Sequence, residues 1–180
     1  LRVPGATTPA RLWHNLVRGR DCLTRLPAGA LRRAGVSQES LANPDFVRTL
    51  PTLDDVERFD ADFFDMSALE AELTDPSQRL FLECAWEALE DAGYSGEPDG
   101  RTVAIYAGES MNSYVFSQLL PNRELLASVG GYQVMLGNDK DFLTTRASYK
   151  LDLHGPSMTI QTACSTSLVA VQVACQSLLR

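Results

Sequence analysis

The sequence predicts an α/β fold in which helices are layered on a sheet, and three observations carry that reading. An amphipathic helical pattern with its own start and stop runs from about Asp75 to Ala92. A short apolar run of β-forming residues, Thr102-Val103-Ala104-Ile105-Tyr106-Ala107, follows it. A second succession, helix from about Lys140 to Leu151 and then a strand-like alternation from Ser157 to Gln161, leads into a further helical pattern from Leu168.

The composition agrees with a globular chain and removes several function classes. The chain has 180 residues, 44% hydrophobic and 22% charged, with 12 glycines and 9 prolines, so collagen-like, low-complexity and disordered readings fall away. Sixteen Lys+Arg against 23 Asp+Glu leave a net charge of −7 and no basic field for a nucleic-acid partner. The longest apolar stretches, Val103 to Ala107 and Ser167 to Ala174 with its Gln172, are far short of the roughly 20 residues of a membrane span. Four cysteines, Cys22, Cys84, Cys164 and Cys175, have neither zinc-site spacing nor the density of a disulfide scaffold, which points to a reducing, cytoplasmic location. The chain opens at Leu1 without a methionine and closes at Arg180 inside a helical pattern, and we expect a piece of a larger domain.

Taken in chain order, Pro9 to Arg18 reads as a helix with Leu12, Trp13, Leu16 and Val17 on one side. Gly19 to Pro51 reads as loop with one short helix at about Ala30 to Ala34. Between Asp54 and Met66, Phe59, Phe63 and Phe64 interleave with Asp54, Asp55, Asp60, Asp62 and Asp65, as in a turn that tucks its rings inward under a solvated acidic face. For the helix from Asp75, Asp75 is the expected cap, Pro76 lies in the first turn and Gln78 completes a capping box. Leu80, Cys84, Leu89 and Ala92, with Ala85 and Ala88, form its expected core stripe, and Gly93 its stop. The run Thr102 to Ala107 is expected to be covered on both faces. Met111 to Asn122 reads as core or surface loop, Gly130-Gly131 as a break, and Asn138-Asp139 as caps for the helix bearing Phe142, Leu143, Ala147 and Leu151.

The chemistry concentrates where the last strand meets the last helix. Met158 and Ile160 alternate with polar Ser157, Thr159 and Gln161, while Leu168, Val171, Cys175 and Leu178 recur at helical spacing. Cys164 lies at the junction among the small residues Ala163, Ser165, Thr166 and Ser167. There the free amides and positive end of a helix favour thiolate over thiol and can donate to an oxyanion. On these grounds alone Cys164 is equally an activated nucleophile or a structural thiol at a strand end. Cys84 and Cys175 read as core residues.

Thr162-Ala163-Cys164-Ser165-Thr166-Ser167 resembles the active-site signature of the β-ketoacyl synthases. Asp75-Pro76-Ser77-Gln78-Arg79-Leu80 with Glu83, Trp86-Glu87-Ala88-Leu89-Glu90-Asp91-Ala92-Gly93, Gly137-Asn138-Asp139-Lys140-Asp141, Arg146, Ser148-Tyr149 and Gly155-Pro156-Ser157 match in order, from Pro4-Gly5-Ala6 onward. Their style is similar to the ketosynthase domain of a modular type I polyketide synthase.

The resemblance implies an α/β thiolase-like fold of αβαβα layers, of which residues 1–180 would be a partial N-terminal domain lacking the first strand and the C-terminal half. It implies Cys164 as the acyl-accepting nucleophile, with its own amide in the oxyanion hole, in decarboxylative Claisen condensation with a malonyl-type thioester. The implied partners are an acyl carrier protein, which delivers the phosphopantetheine arm, and a second copy in a homodimer; no directly bound cofactor or metal is implied. The family's two essential histidines belong to motifs absent here, and His14 and His154, the only histidines, fall where it has no catalytic group. A non-catalytic dimer-forming remnant, a fatty-acid ketosynthase and a thiolase-like acyltransferase remain as alternatives.

Overall fold

The computed structural model describes residues 1–94 and 102–179, which divide into two compact units, Leu1–Asp55 and the residues from Val56 on. The first unit holds α1 (Pro9–Val17), β1 (Thr24–Arg25), α2 (Ala28–Arg33), α3 (Gln38–Ala42) and β2 (Thr49–Leu50). In α1 the Thr8 hydroxyl accepts from the Arg11 N–H at 3.2 Å and Pro9 occupies the first turn. The expected apolar side is present, but Trp13, Leu16 and Val17 are exposed and the buried residue is Asn15, whose Nδ2 donates to the Gly5 carbonyl at 3.0 Å. The short helix expected at Ala30 to Ala34 is α2, centred on buried Leu31. Helix α3 and the antiparallel β1–β2 pair, Thr24 opposite Leu50 and Arg25 opposite Thr49, are too short to show a period in sequence.

The second unit holds α4 (Ala68–Leu73), α5 (Pro76–Asp91), β3 (Ile105–Ala107), a π-helical turn (Val115–Leu119), α6 (Arg123–Val129), α7 (Gly131–Asn138), α8 (Phe142–Lys150), β4 (Ser157–Thr159), a 3₁₀ turn (Ala163–Ser165) and α9 (Thr166–Leu178). The closing residue Arg180 lies outside the described residues. Ahead of α4 the acidic-aromatic turn tucks in only part of what was expected: Phe64 and Met66 are buried and Phe59 stacks on Phe64 at 5.2 Å, but Phe63 is 53% exposed, meeting Phe64 and Trp86 edge-on at 4.9 and 5.0 Å. Helix α4, which was not among the expected elements, starts at Ser67, whose hydroxyl accepts from the Glu70 N–H at 3.1 Å in a Ser-x-x-Glu arrangement.

Helix α5 begins as expected, with Asp75 Oδ1 accepting from both the amide and the hydroxyl of Ser77 at 2.7 Å. Two expectations for this helix are corrected. Gln78 does not close a capping box; its Nε2 donates to the Asp139 carbonyl at 3.2 Å, 61 residues on. The most tightly packed face is not the expected stripe of Leu80, Cys84, Leu89 and Ala92 with Ala85 and Ala88, of which Leu80, Ala85 and Leu89 are half-buried, but Leu82, 1% exposed, with Phe81 and Trp86 beside it, against Ala147 of α8 at 0%. Cys84 is only half-buried, and Ala88 and Ala92 are exposed. The helix carries apolar residues around most of its circumference, so periodicity alone cannot tell which side meets α8.

The sheet is a parallel pair, with Ile105 opposite Ser157, Tyr106 opposite Met158 and Ala107 opposite Thr159, and α6, α7 and α8 lie in the connection between its strands. Successive side chains of β3 leave on opposite faces. Ile105 joins the core of Phe64, Met66, Leu82 and Ala147, while Ala104 and Tyr106 line a cavity with Thr166, Ala170 and Ala174 of α9. Helices thus layer both faces, although the strand residues are half-buried rather than sealed. A second core of Leu73, Leu119 and Val134 gathers α4, the π-helical turn and α7.

Buried polar ties join the helices. Asn138 was expected to cap; instead it is buried, and its Nδ2 donates to the carbonyls of Leu73 and Val134, both at 2.7 Å, while Asp139 Oδ1 accepts from the Asp141 N–H at 3.1 Å. Arg146 spans Glu70 Oε1 at 3.4 Å, Gln78 Oε1 at 3.4 Å and the Leu136 carbonyl, and its burial pulls the guanidinium below its ordinary range while Glu70 opposes that shift. Among the described residues no helix is long and apolar enough to cross a membrane.

The packing of α5 on α8 predicts that Leu82→Ala, which empties space against Ala147, destabilises the protein by about 2–5 kcal/mol in chemical denaturation. A loss comparable to an exposed substitution would show that this contact is not the centre of the core.

Candidate active site

The site is built from the carboxyl ends of β3 and β4, where a parallel sheet characteristically presents its chemistry. Beyond β4 the ladder continues, with the Ile160 N–H donating to the Ala107 carbonyl at 2.7 Å. The chain then turns within four residues. The Thr162 N–H donates to Thr166 Oγ1 at 3.0 Å, and the Ser165 hydroxyl bonds the Thr162 carbonyl and hydroxyl at 2.8 and 3.0 Å. Between them Ala163 holds φ of +53°, a left-handed conformation unusual for a residue with a Cβ and the kind of local strain that collects at functional turns. Cys164 follows on the 3₁₀ turn, exposed, directly before α9.

Helix α9 starts at Thr166 with no side-chain cap, so the positive end of its dipole faces the cysteine turn. One face of α9, with buried Ala170 and half-buried Thr166, Val169, Val173 and Ala174, packs toward β3. The stripe that recurs at helical spacing in the sequence is the other one: Leu168, Val171 and Leu178 are 76%, 61% and 87% exposed. Cys175 on this stripe is exposed too, which corrects its reading as a core residue; both faces of α9 are apolar, and only one meets the sheet.

Gly108 lets the two strand ends approach. A Cβ built there would lie 2.1 Å from the Ile160 carbonyl oxygen and 2.4 Å from Thr166 Cγ2, so no larger residue fits without moving the turn. Next to it stands Glu109, which was not among the expected site residues because a lone acid after an apolar run has no distinguishing pattern. Its carbonyl accepts from Gln161 Nε2 at 2.9 Å. Its side chain enters a half-buried position in which Oε2 has no hydrogen-bond partner among the described residues. Burial first and Asp75 second, with a smaller contribution from Asp139, push its carboxyl up to about 7, against Gln78 and Lys140.

The remaining candidates are not brought into this site. His154 is exposed and pairs with Asp152 at 3.3 Å, and His14 is exposed on α1. Met111 is exposed, whereas Leu119 is buried, so Met111 to Asn122 is loop at one end and core at the other. Among the described residues no group of three or more His, Cys, Asp or Glu side chains could hold a metal ion. The chemistry available is that of an exposed thiol at a helix start, able to attack an electrophilic carbonyl with backbone amides close by.

Comparison with known proteins gives the same motifs a context. Residues 1–180 match the family model described as beta-ketoacyl synthase, N-terminal domain. A phenolphthiocerol/phthiocerol polyketide synthase of Mycobacterium tuberculosis is 45% identical over 184 residues, which cover 99% of this chain and 12% of that protein. Polyketide synthase PksL of Bacillus subtilis is 38% identical over 189 residues, covering 99% of this chain and 4% of its own length. The crystal structure of ketosynthase twelve from the bacillaene polyketide synthase of Bacillus amyloliquefaciens superposes with a TM-score of 0.84 at 35% identity, covering 98% of this chain and 30% of that one.

Two outcomes follow from the geometry. Gly108→Ala should lower stability by about 1–3 kcal/mol, since the new methyl group meets the Ile160 backbone and the stiff, β-branched side chain of Thr166; an unchanged thermal midpoint would refute the close approach. Glu109 is an acid whose carboxyl is raised from 4.5 to about 7 on folding, so its contribution to stability is complete below 4.5, declines as pH rises between these values and is flat above. Glu109→Gln should remove that decline from thermal unfolding curves measured across the interval, and an identical decline in the variant would assign it to other groups.

Proposed function

The chain belongs to the β-ketoacyl synthase family, with the thiolase-like fold of its ketosynthase relatives, and from that premise we propose that Cys164 is the acyl-accepting nucleophile of a polyketide-type condensing enzyme. The observation that carries the reading is the exposed thiol on a strained turn between β4 and α9. In the first half-reaction the Cys164 thiolate attacks the carbonyl of an acyl thioester on the phosphopantetheine arm of an acyl carrier protein. A new C–S bond forms, the oxyanion is met by backbone amides that include that of Cys164, and the carrier thiol departs. In the second, a malonyl-type thioester loses carbon dioxide, and the electron pair released attacks the acyl-cysteine carbonyl. A C–C bond forms and the Cys164 thiolate leaves.

The second half-reaction needs groups to polarise the extender carbonyl and assist decarboxylation. We assign these to the two histidines of the family's C-terminal half, outside residues 1–180, so that the chain is a partial N-terminal half. The exposed apolar stripe Leu168-Val171-Cys175-Leu178 supports this, as a surface of that kind is ordinarily covered. The same reading makes the parent a homodimer in which β4, bonded to β3 along one edge, pairs with its twin along the other. It works in the cytoplasm, and the phosphopantetheine arrives on the carrier.

Incubating the protein with a short acyl thioester and mapping acylated peptides by mass spectrometry tests the assignment. Cys164 should carry the acyl group and Cys164→Ala should abolish the labelling, whereas labelling that survives the substitution removes Cys164 from the role.

A further inference from the structure

Glu109 follows β3 beside the nucleophile's turn, with the start of α5 and the turn before α8 around its carboxyl. Its backbone follows Gly108, which is wedged against Ile160 and Thr166, and its carbonyl holds the side chain of Gln161, three residues before Cys164. Its carboxyl is surrounded by Asp75 and Gln78 from the start of α5 and by Asp139 and Lys140 from the turn before α8. These surroundings are themselves pinned. Asp75 is buried and committed to Ser77, the Asp75 N–H donates to the Gly137 carbonyl at 3.0 Å, and Gln78 is bonded to the Asp139 carbonyl. Tyr114, whose hydroxyl is raised first by its own burial, faces Asp75, Glu72 and Arg79, whose Nε is buried.

We propose that Glu109 is a positioning residue for Cys164, tying the nucleophile's turn to the start of α5 and the turn before α8, and that the tie loosens when its carboxyl ionises. The inference rests on the reading of Cys164 as the nucleophile. As a neutral acid, Glu109 can occupy its half-buried seat beside two carboxylates. As an anion it is repelled by Asp75 and Asp139 with one orphaned oxygen, and the side chain is driven toward Lys140 and water. The carbonyl that anchors Gln161 moves with it. Thr162, which holds both ends of the cysteine turn through Ser165 and Thr166, is the next residue along. The carboxyl titrates at about 7, within the working range of an enzyme.

The test is the rate of iodoacetamide alkylation at Cys164 in the intact protein, followed on the Cys164 peptide by mass spectrometry and divided by the Cys164 thiolate fraction, taken as the difference in ultraviolet absorbance between the protein and its Cys164→Ser variant, since four cysteines are free. A roughly fivefold difference between the two charge states, the lower end of ordinary coupling between linked sites, should make the corrected rate fall about threefold from one pH unit below to one above the Glu109 midpoint. Glu109→Gln, which mimics the neutral acid, and Gln161→Leu, which cuts the tie, should each abolish the fall. A flat wild-type profile, or an undiminished fall in either folded variant, overturns the proposal; if Glu109→Gln does not fold, Gln161→Leu decides. Iodoacetamide needs only the Cys164 thiolate and no acyl thioester, so the two readings fail separately. A Cys164 that is acylated by a thioester but shows a flat profile fails the positioning role alone. One that shows the profile but refuses the acyl group fails the nucleophile reading.

Discussion

The second unit depends on a short stretch of parallel backbone. Only three residue pairs of β3 and β4 face each other, yet the ladder is extended at both ends by bonds outside the strands. At one end the Gly155 N–H donates to the Val103 carbonyl at 2.9 Å and the Ile105 N–H to the Pro156 carbonyl at 2.8 Å; at the other Ile160 bonds Ala107. A glycine stands at each extremity because a side chain would collide with backbone: a Cβ would lie 2.3 Å from the Val103 carbonyl at Gly155 and 2.1 Å from the Ile160 carbonyl at Gly108. Close approach brings the two carboxyl ends level, and that puts Glu109 beside Gln161 and the cysteine turn beside both.

Around this ladder the helices are held as much by buried polar groups as by apolar contact. Gln78, Asn138 and Arg146 each take carbonyl or carboxylate partners from another element. A buried amide or guanidinium costs free energy unless it is paired, so such groups specify one relative placement of α4, α5, α7 and α8 where apolar side chains would accept several. Glu109 in this neighbourhood is incompletely paired, and its burial beside Asp75 makes it sensitive to a proton near neutral pH.

Much of the second unit was legible in the sequence. Asp75-Pro76 announced the start of α5, the β-forming run announced β3, and the alternation from Ser157 followed by small residues announced a strand, a turn and an exposed thiol. The faces were less legible. Both α5 and α9 are apolar around much of their surface; in α5 the core stripe expected from periodicity is not the face that packs most tightly, and in α9 the helical repeat that holds Cys175 lies on the exposed side. The capping signals at Ser67 and Asn122 show that α4 and α6 could have been found by their local chemistry, since the hydroxyl of Ser67 and the side-chain carbonyl of Asn122 accept from amides three residues on.

Local rules of backbone and helix start determined, without any tertiary information, that a small-residue turn would carry Cys164 between a strand and a helix. That motif also identified the family. Only the folded chain decided that Gln78 serves a distant carbonyl, that Asn138 reaches Leu73 as well as Val134 of its own helix, and that Glu109 lies beside the cysteine turn 55 positions later. The physical reason is that a cap or a turn is settled by neighbours a few bonds away, whereas the choice of a buried polar partner, and the field around an acid, depend on which strands lie side by side.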